Sequence, residues 1–222
     1  MAEHPHMPDN FSRRIPDGDN RSRLVCDDCG FISYENPKVV VGSVCTTGDR
    51  LLLCRRAIEP RRGYWTLPAG YLEVHETTMA GAVREAWEEA CARIEIESLL
   101  AVYNIPRISQ VQVIYRARLI SDDVAAGPES EEVGLFRWEE IPWDDLAFPT
   151  VRWALHHYRE VCGQPVFTAR SNPPGEHVDH DRCQHRHPRG DGHHVAELPR
   201  RLQWIGRRDR QRAHHRGQHR AR

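Results

Sequence analysis

The chain has 222 residues, of which 39% are hydrophobic and 28% charged, so it is long enough for one hydrophobic core with small additions. It contains no run of about 20 apolar residues, which a membrane-spanning helix needs, and no hydrophobic leader segment at its polar N-terminus. We therefore expect a cytoplasmic protein that does not enter a membrane. The seven cysteines are dispersed and, without a secretory leader, should be reduced thiols.

The net charge of −1 conceals two segments of opposite charge. Residues 164–222 contain 13 arginines, no lysine and six acidic residues, a net charge of +7, which leaves −8 for the first 163 residues. This basic segment has few large apolar side chains to bury, so we predict that residues 163–222 are a disordered Arg/His-rich tail. A chain ending at Gly163 should then keep its fold and activity. The excess of arginine over lysine also fits a second hypothesis, that the tail begins near a frameshift in a GC-rich gene.

The N-terminal segment, residues 1–36, contains one motif with a chemical meaning. Residues 1–22 are polar and aperiodic, which predicts a loop. Cys26 and Cys29 then form a Cys-x-x-Cys-Gly turn, which is half of a zinc ribbon. A complete ribbon needs a second ligand pair, and His4 and His6 are the substitutes at this end of the chain. Two interpretations stay open: a Zn²⁺ site that includes both cysteines, or, as the better supported one, a turn with two free thiols.

Residues 37–162 show the alternation of elements that is typical of an α/β domain. Apolar runs predict neighbouring strands at residues 39–45 and 51–55, and later strands at 94–103, 111–119 and 133–138. One helix is predicted after the cap residues 76–78, a loop at 125–132 and a closing helix at 149–161. Strands that alternate with two separated helices predict a mixed sheet between helical layers, an α/β/α sandwich.

The first of these helices carries an acidic face. Glu85, Glu88 and Glu89 are spaced i, i+3 and i+4, so they project from one side of the helix and repel one another. Mg²⁺ or Mn²⁺ would relieve the repulsion, because hard divalent cations bind carboxylate oxygens and keep coordination sites for phosphate and water. An ordinary solvated acidic face is the alternative for these residues taken alone. The predicted core-facing residues of the helix are Met79, Ala82, Val83, Ala86 and Ala90.

The full spacing in residues 70–92 resembles the signature of the Nudix hydrolases. The matching residues are Gly70, Glu76, Arg84, Glu85, Glu88 and Glu89. Cys91 stands where the signature has a glycine that ends the helix in a left-handed conformation, so we expect an altered helix exit but intact metal binding. The resemblance covers about residues 14–162. It points to the subgroup with an N-terminal zinc ribbon, which includes ADP-ribose and FAD diphosphatases.

The resemblance implies a role for each of these residues. Glu85 and Glu89 would be the principal ligands of Mg²⁺ or Mn²⁺. Glu88 would be a further ligand, or a base acting through a water, and a carbonyl near Gly70 would complete the metal sphere. The implied catalytic residues are Glu76, Arg84, Glu85 and Glu88, with Glu76 pairing Arg84.

Substrate-binding candidates flank the signature. Arg55 and Arg56 precede it and suit phosphate oxygens, although only one of them can face inward in an extended strand. Glu129 and Glu132 are candidates for a further acid from a later loop, with a solvated acidic loop as the equal alternative. Aromatic residues able to stack on a base, or else to fill the core, are Trp65, Tyr103, Tyr115 and Phe136.

The implied reaction is Mg²⁺-dependent hydrolysis of a nucleoside diphosphate linked to a second moiety, ADP-ribose or FAD, with release of AMP. We weigh three alternatives: an NADH diphosphatase, an inactive Nudix domain that senses a metabolite, and a nucleic-acid-binding module that uses the Cys-x-x-Cys turn and the basic tail. The acidic body, at −8, argues against nucleic acid, because surfaces that follow phosphates are basic. We expect a nucleotide-derived small-molecule substrate, no nucleic-acid partner and, from the resemblance, a homodimer.

Overall fold

The computed structural model describes residues 9–175, which begin with a small antiparallel sheet. Its strands are β1 (Phe11–Arg14), β2 (Arg23–Cys26) and β3 (Ile32–Ser33), in that order. The loop predicted for residues 1–22 is therefore interrupted, because β1 pairs along its whole length with β2. This strand could not be predicted from the sequence. Little of β1 is buried, so its residues do not alternate between apolar and polar.

A seven-stranded sheet forms the body of the described chain. Its strands are β4 (Lys38–Thr47), β5 (Arg50–Arg56), β6 (Trp65–Thr66), β7 (Ala69–Tyr71), β8 (Ile94–Ile105), β9 (Gln110–Leu119) and β10 (Ser130–Arg137). Five long strands follow the order β10-β5-β4-β9-β8, and all neighbours are antiparallel except the parallel pair β4 and β9. The short strand β6 pairs with β5, and β7 pairs with β4. The predicted mixed sheet is thus confirmed.

Two helices cover opposite faces of this sheet, as the sequence predicted. On one face, α1 (Thr78–Ala90) packs its alanines against Leu52 and Cys54 of β5. On the other, α2 (Pro149–Val161) packs against Leu53 and other residues of the larger core cluster. Successive side chains of a strand point to opposite faces, so β5 serves both halves of the core. Neither helix of the described residues is long and apolar enough to cross a membrane.

The strand boundaries shift slightly from those predicted. β8 extends two residues further, to Ile105, and β10 begins at Ser130, inside the stretch predicted as loop 125–132. Ser130 and Glu132 pair with Arg56 and Arg55 across an irregularity in register, which the polar sequence of this stretch does not reveal.

The core-facing side of α1 is narrower than predicted. Ala82, Ala86 and Ala90 are fully buried, whereas Met79 and Val83 are 50% and 37% exposed. The small alanines let the helix lie close to the sheet, so the larger apolar residues lie on its flank, facing solvent. The acids Glu85 and Glu89 are buried on the opposite flank.

The chain stays ordered beyond α2, which moves the predicted tail boundary. The Arg170 N–H donates to the Leu100 carbonyl at 2.8 Å, and the Val102 N–H donates to the Arg170 carbonyl at 3.0 Å, so this segment extends the edge of the sheet beside β8. Phe167 packs against the core on the α2 side. The disordered tail predicted from residue 163 therefore begins too early, because an aromatic anchor and backbone pairing hold residues 164–172. Residues 176–222 lie outside the described residues.

Candidate active site

Helix α1 is fixed at both ends by local hydrogen bonds. At its start, the Thr77 hydroxyl accepts from the Ala80 N–H at 3.1 Å, as the predicted cap requires. At its end, Cys91 has φ 49° and its N–H donates to the Trp87 carbonyl at 2.9 Å. The prediction of an altered helix exit is wrong, because Cys91 adopts the left-handed conformation itself. The bonds that close the last turn outweigh a steric cost of about 1 kcal/mol.

The loop between β9 and β10 is bound to the C-terminal end of α1. The Ala125 N–H donates to the Ala90 carbonyl at 2.9 Å, and the Gly127 N–H donates to the Glu89 carbonyl at 3.0 Å. These donors satisfy carbonyl groups that a helix end leaves without internal partners. The loop that carries Glu129 is thereby held beside the acids of α1.

Arg84 pairs with three carboxylates at the acidic face of α1. Its Nε and Nη2 donate to the two carboxylate oxygens of Glu76 at 3.1 and 2.7 Å. Its Nη1 donates to Glu85 at 2.6 Å and to Glu88 at 2.8 Å. A further bond runs from Nη2 to the Tyr71 carbonyl at 3.0 Å, so one guanidinium joins the loop after β7 to α1. The hydrogen bonds from Arg84 lower the pKa of Glu76, with help from the backbone N–H of Glu73.

Glu85 and Glu89 form the buried part of the acidic face. They are 8% and 7% exposed, and burial raises the pKa of both carboxyl groups, that of Glu89 to about 8. The charge of Glu85 adds to the rise in the pKa of Glu89, whereas Arg84 opposes the rise in the pKa of Glu85. The Glu85 carboxylate lies directly against Gly70, where a Cβ would be 2.4 Å from its oxygen, so a larger residue at position 70 would displace this carboxylate. The Ala69 N–H donates to Glu89 at 3.4 Å.

The structure separates the four predicted substrate-binding residues into two pairs. The charges of Glu129 and Arg56 act on Glu89, the first raising its pKa and the second opposing that rise. Arg56 follows Cys54 by two residues along β5 and so faces α1. Arg55 instead forms an ion pair with Glu132 at 3.5 Å on exposed surface, so these two residues are not brought to the acidic face.

The carboxylates suit a hard divalent cation, although their side chains are turned toward Arg84. Among residues 9–175, no three acidic, histidine or cysteine side chains surround one point as metal ligands would. Arg84 forms ion pairs with Glu85 and Glu88, while Glu89 makes no ion pair within the described chain. A buried carboxylate pair without a full counter-charge is costly, and all of its donors are hard oxygens, so the chemistry of this set fits Mg²⁺ or Mn²⁺.

The cysteine knuckle forms, but the described residues do not complete a zinc site. Cys26 is buried, and the backbone N–H groups of Cys29 and Asp28 lower the pKa of its thiol. Asn10 donates to the Cys26 sulfur at 3.7 Å and to Asp28 at 3.1 Å. Structural zinc takes four ligands, and no third metal-binding side chain joins the two cysteines in the described range. His4 and His6 lie outside it.

The four aromatic residues considered for base stacking belong to the core. Trp65, Tyr103 and Tyr115 are buried, and the partly buried Phe136 packs edge-on against Trp65 at 4.9 Å. Periodicity alone does not distinguish a strand aromatic in the core from one in a binding site. The sequence also gave no sign that Gly127 touches α1, because that contact joins residues distant in the chain.

Comparison with known proteins agrees with this architecture. A family model described as NUDIX domain matches residues 36–160, and one described as Nudix N-terminal matches residues 9–35. The ADP-ribose pyrophosphatase of Methanocaldococcus jannaschii is 30% identical over 119 residues, 52% of this chain and 69% of that protein. A Nudix hydrolase structure from Nitrosomonas europaea is 48% identical with a TM-score of 0.69, covering 73% of this chain and 93% of that one. An ADP-ribose pyrophosphatase from Streptococcus suis, 22% identical with a TM-score of 0.52, covers 62% of this chain and 100% of that one and shares the fold alone.

Proposed function

The chain belongs to the Nudix family of hydrolases, and we propose that it cleaves the diphosphate bond of a nucleoside diphosphate linked to a second moiety. The proposed substrates are ADP-ribose and FAD, and the nucleotide product is AMP. The observation that carries the proposal is the buried pair Glu85 and Glu89 beside Gly70, in which Arg84 pairs with Glu85 while Glu89 makes no ion pair within the described chain. The relative from M. jannaschii, which is named an ADP-ribose pyrophosphatase, supports the choice of substrate.

The proposed cofactor is Mg²⁺ or Mn²⁺, held by Glu85 and Glu89 with Glu88 and a carbonyl near Gly70. When bound, such a cation neutralises diphosphate charge and activates a water for attack on phosphorus. For Glu88 to join these ligands, its carboxylate must turn away from Arg84. Its side chain is 55% exposed, so this rotation meets little steric resistance.

The residues of this chain supply positioning and charge. Arg84 and Glu76 hold the loop after β7 against α1, which keeps the carbonyl near Gly70 in register with Glu85. The alternative role for Glu88 is that of a base: instead of binding the cation, this exposed carboxylate would accept the proton of the attacking water. We propose that Arg56 binds phosphate oxygens, because a fixed guanidinium stabilises the charge that develops on the leaving phosphate.

A substrate panel tests the proposal. The purified full chain is assayed with ADP-ribose, FAD, NADH and a nucleoside triphosphate, with Mg²⁺, with Mn²⁺ and with EDTA, and the products are separated by chromatography. We expect AMP from ADP-ribose and FAD, no turnover in EDTA, and kcat/KM for NADH lower by about tenfold, or about 1.4 kcal/mol of transition-state binding. Preference for NADH or for the triphosphate would contradict the substrate assignment, and turnover in EDTA would contradict the metal.

Three further features stay predictions. They are the cytoplasmic location, a homodimeric assembly and the absence of a nucleic-acid partner. Gel filtration with light scattering measures the second, and titration with labelled single- and double-stranded oligonucleotides measures the third.

A further inference from the structure

The end of β5 and the loop that joins it to β6 carry four arginines that differ in their partners: Arg55, Arg56, Arg61 and Arg62. Arg55 pairs with Glu132 at 3.5 Å, and Arg62 pairs with Glu131 at 2.9 Å, so two of the charges are neutralised by acids of β10. Arg56 and Arg61 make no ion pair within residues 9–175. Two guanidinium groups therefore remain without an acid, on a chain segment that adjoins the candidate active site.

These two arginines are positioned by the same stretch of backbone. Arg56 Nε donates to the Pro60 carbonyl at 2.8 Å, which places its guanidinium beside the residue that precedes Arg61. The Arg56 N–H donates to the Tyr64 carbonyl at 2.9 Å, which closes the segment into a tight loop. The Ala57 N–H donates to the Glu129 carbonyl at 2.8 Å, and the Gly127 N–H of that second loop donates to the Glu89 carbonyl at 3.0 Å, so the arginine loop adjoins the loop that is bound to α1.

Aromatic rings, in place of acids, hold the two side chains. The guanidinium of Arg56 lies over the ring of Phe148 at 5.3 Å, and that of Arg61 lies over the ring of Tyr64 at 4.7 Å. Such contacts orient a guanidinium through its face and do not use the hydrogen-bond donors in its plane.

Two features of Arg61 are unfavourable in the folded chain. Its Nη2 is buried and has no hydrogen-bond partner, which is unfavourable for a charged donor. Its backbone has φ 68°, a left-handed conformation in which a non-glycine residue is strained. Glycine would avoid both costs, which makes Arg61 a candidate for a role in binding.

We propose that Arg61, with Arg56, forms an anion subsite that binds the phosphate of the substrate next to the one held at the acidic face of α1. The inference rests on the proposed function and extends it by naming Arg61 as a substrate-binding residue. Two planar forks suit the oxygens of one phosphate, and neighbouring carboxylates would have neutralised them. Arg62 follows Arg61 directly in the chain but pairs with Glu131, so we do not include it in the subsite.

The test compares Arg61→Gly with Arg62→Ala in the full chain. Glycine suits the left-handed backbone at residue 61, and Arg62 is the matched arginine on the same loop. Inorganic pyrophosphate with Mg²⁺ is titrated by calorimetry. We expect Arg61→Gly to weaken pyrophosphate binding by about tenfold or more, and Arg62→Ala to change it by less than about twofold. Arg61→Gln, which keeps a polar side chain but removes the charge, should show a similar loss, so a misfolded glycine variant would not decide the result.

A second arm measures ADP-ribose hydrolysis and separates this subsite from the proposed function. We expect KM to rise by about tenfold in Arg61→Gly with little change in kcat, because Arg61 binds phosphate away from the attacking water. If Arg61→Gly and Arg61→Gln bind pyrophosphate as the parent does, the subsite is wrong, whatever the substrate. If the parent does not hydrolyse ADP-ribose, but replacing Arg61 still weakens pyrophosphate binding, the substrate assignment is wrong and the subsite stands.

Discussion

Gly127 lies so close to α1 that a Cβ at this position would be 1.7 Å from the carbonyl oxygen of Glu88. The contact is with backbone, which cannot rotate away as a flexible side chain can. The N–H of Gly127 also donates to the Glu89 carbonyl at 3.0 Å. A loop glycine and two neighbouring acids of the Nudix signature are therefore parts of one tightly packed unit, and Glu129 lies two residues further along this loop.

Replacement of Gly127 by alanine should disturb both stability and catalysis. The added methyl group must displace the loop from α1, so we expect the free energy of unfolding to fall by about 1–3 kcal/mol. The carboxylate of Glu129 should move with the loop and lower kcat by about tenfold. Urea denaturation and steady-state kinetics measure the two effects. Ala126→Ser, on an exposed neighbour, is the control, and equal stability and kcat in Gly127→Ala and this control would show that the contact is unimportant.

Replacement of Glu89 by glutamine should separate stability from activity. The change removes a ligand charge from the site, so we expect kcat to fall by about 10²-fold or more with ADP-ribose and Mg²⁺. In EDTA the same variant should be more stable than the parent by about 1 kcal/mol, because it removes a buried carboxylate that lies beside Glu85.

The matched control for this prediction is Glu95→Gln, because Glu95 is an exposed acid that pairs with Arg118 on the sheet edge. It should leave kcat unchanged. An undiminished kcat in Glu89→Gln would mean that the acidic face of α1 is not the metal site.

The sequence predicted the body of the fold because its signals are local. Apolar runs indicated the long strands, and Thr77 indicated the start of α1 by the cap that it provides. The spacing of Glu76 and Arg84 anticipated their pairing, since residues eight apart along a loop and helix meet when the loop folds back. Patterns of this kind depend on neighbours in the chain.

The remaining features depend on contacts between distant residues, which a single sequence does not display. Arg55 and Arg56 are equivalent in the sequence. They differ in the structure because neighbouring residues of β5 point to opposite faces, so Arg55 pairs with Glu132 while the charge of Arg56 opposes the rise in the pKa of Glu89. Likewise, Met79 matched the apolar period of α1, yet the small alanines decided which side meets the sheet.

Replacement of Cys91 by glycine should stabilise the protein. Cys91 ends α1 with φ 49°, where a side chain is strained and glycine is not. We expect the free energy of unfolding to rise by about 0.5–1 kcal/mol with kcat unchanged, measured by urea denaturation and substrate kinetics. Cys91→Ala removes the thiol but keeps the strain, so it should not stabilise. A gain in both variants would assign the effect to the thiol and contradict the backbone explanation.

Truncation should separate the ordered segment after α2 from the rest of the C-terminal chain. A chain ending at Gly163 loses Phe167, which packs against the core and lies under Arg116 at 5.0 Å, and the backbone pairing of Arg170 with β8. We expect it to be less stable than a chain ending at Gly175 by about 2–4 kcal/mol, from lost apolar burial and two hydrogen bonds. The chain ending at Gly175 should keep the parent's kcat and melting temperature. Urea denaturation of the three chains, with Phe167→Ala in the parent as a control for the aromatic contact, measures these differences. Equal stability of the two truncated chains would mean that the folded domain ends at residue 163, as the sequence predicted.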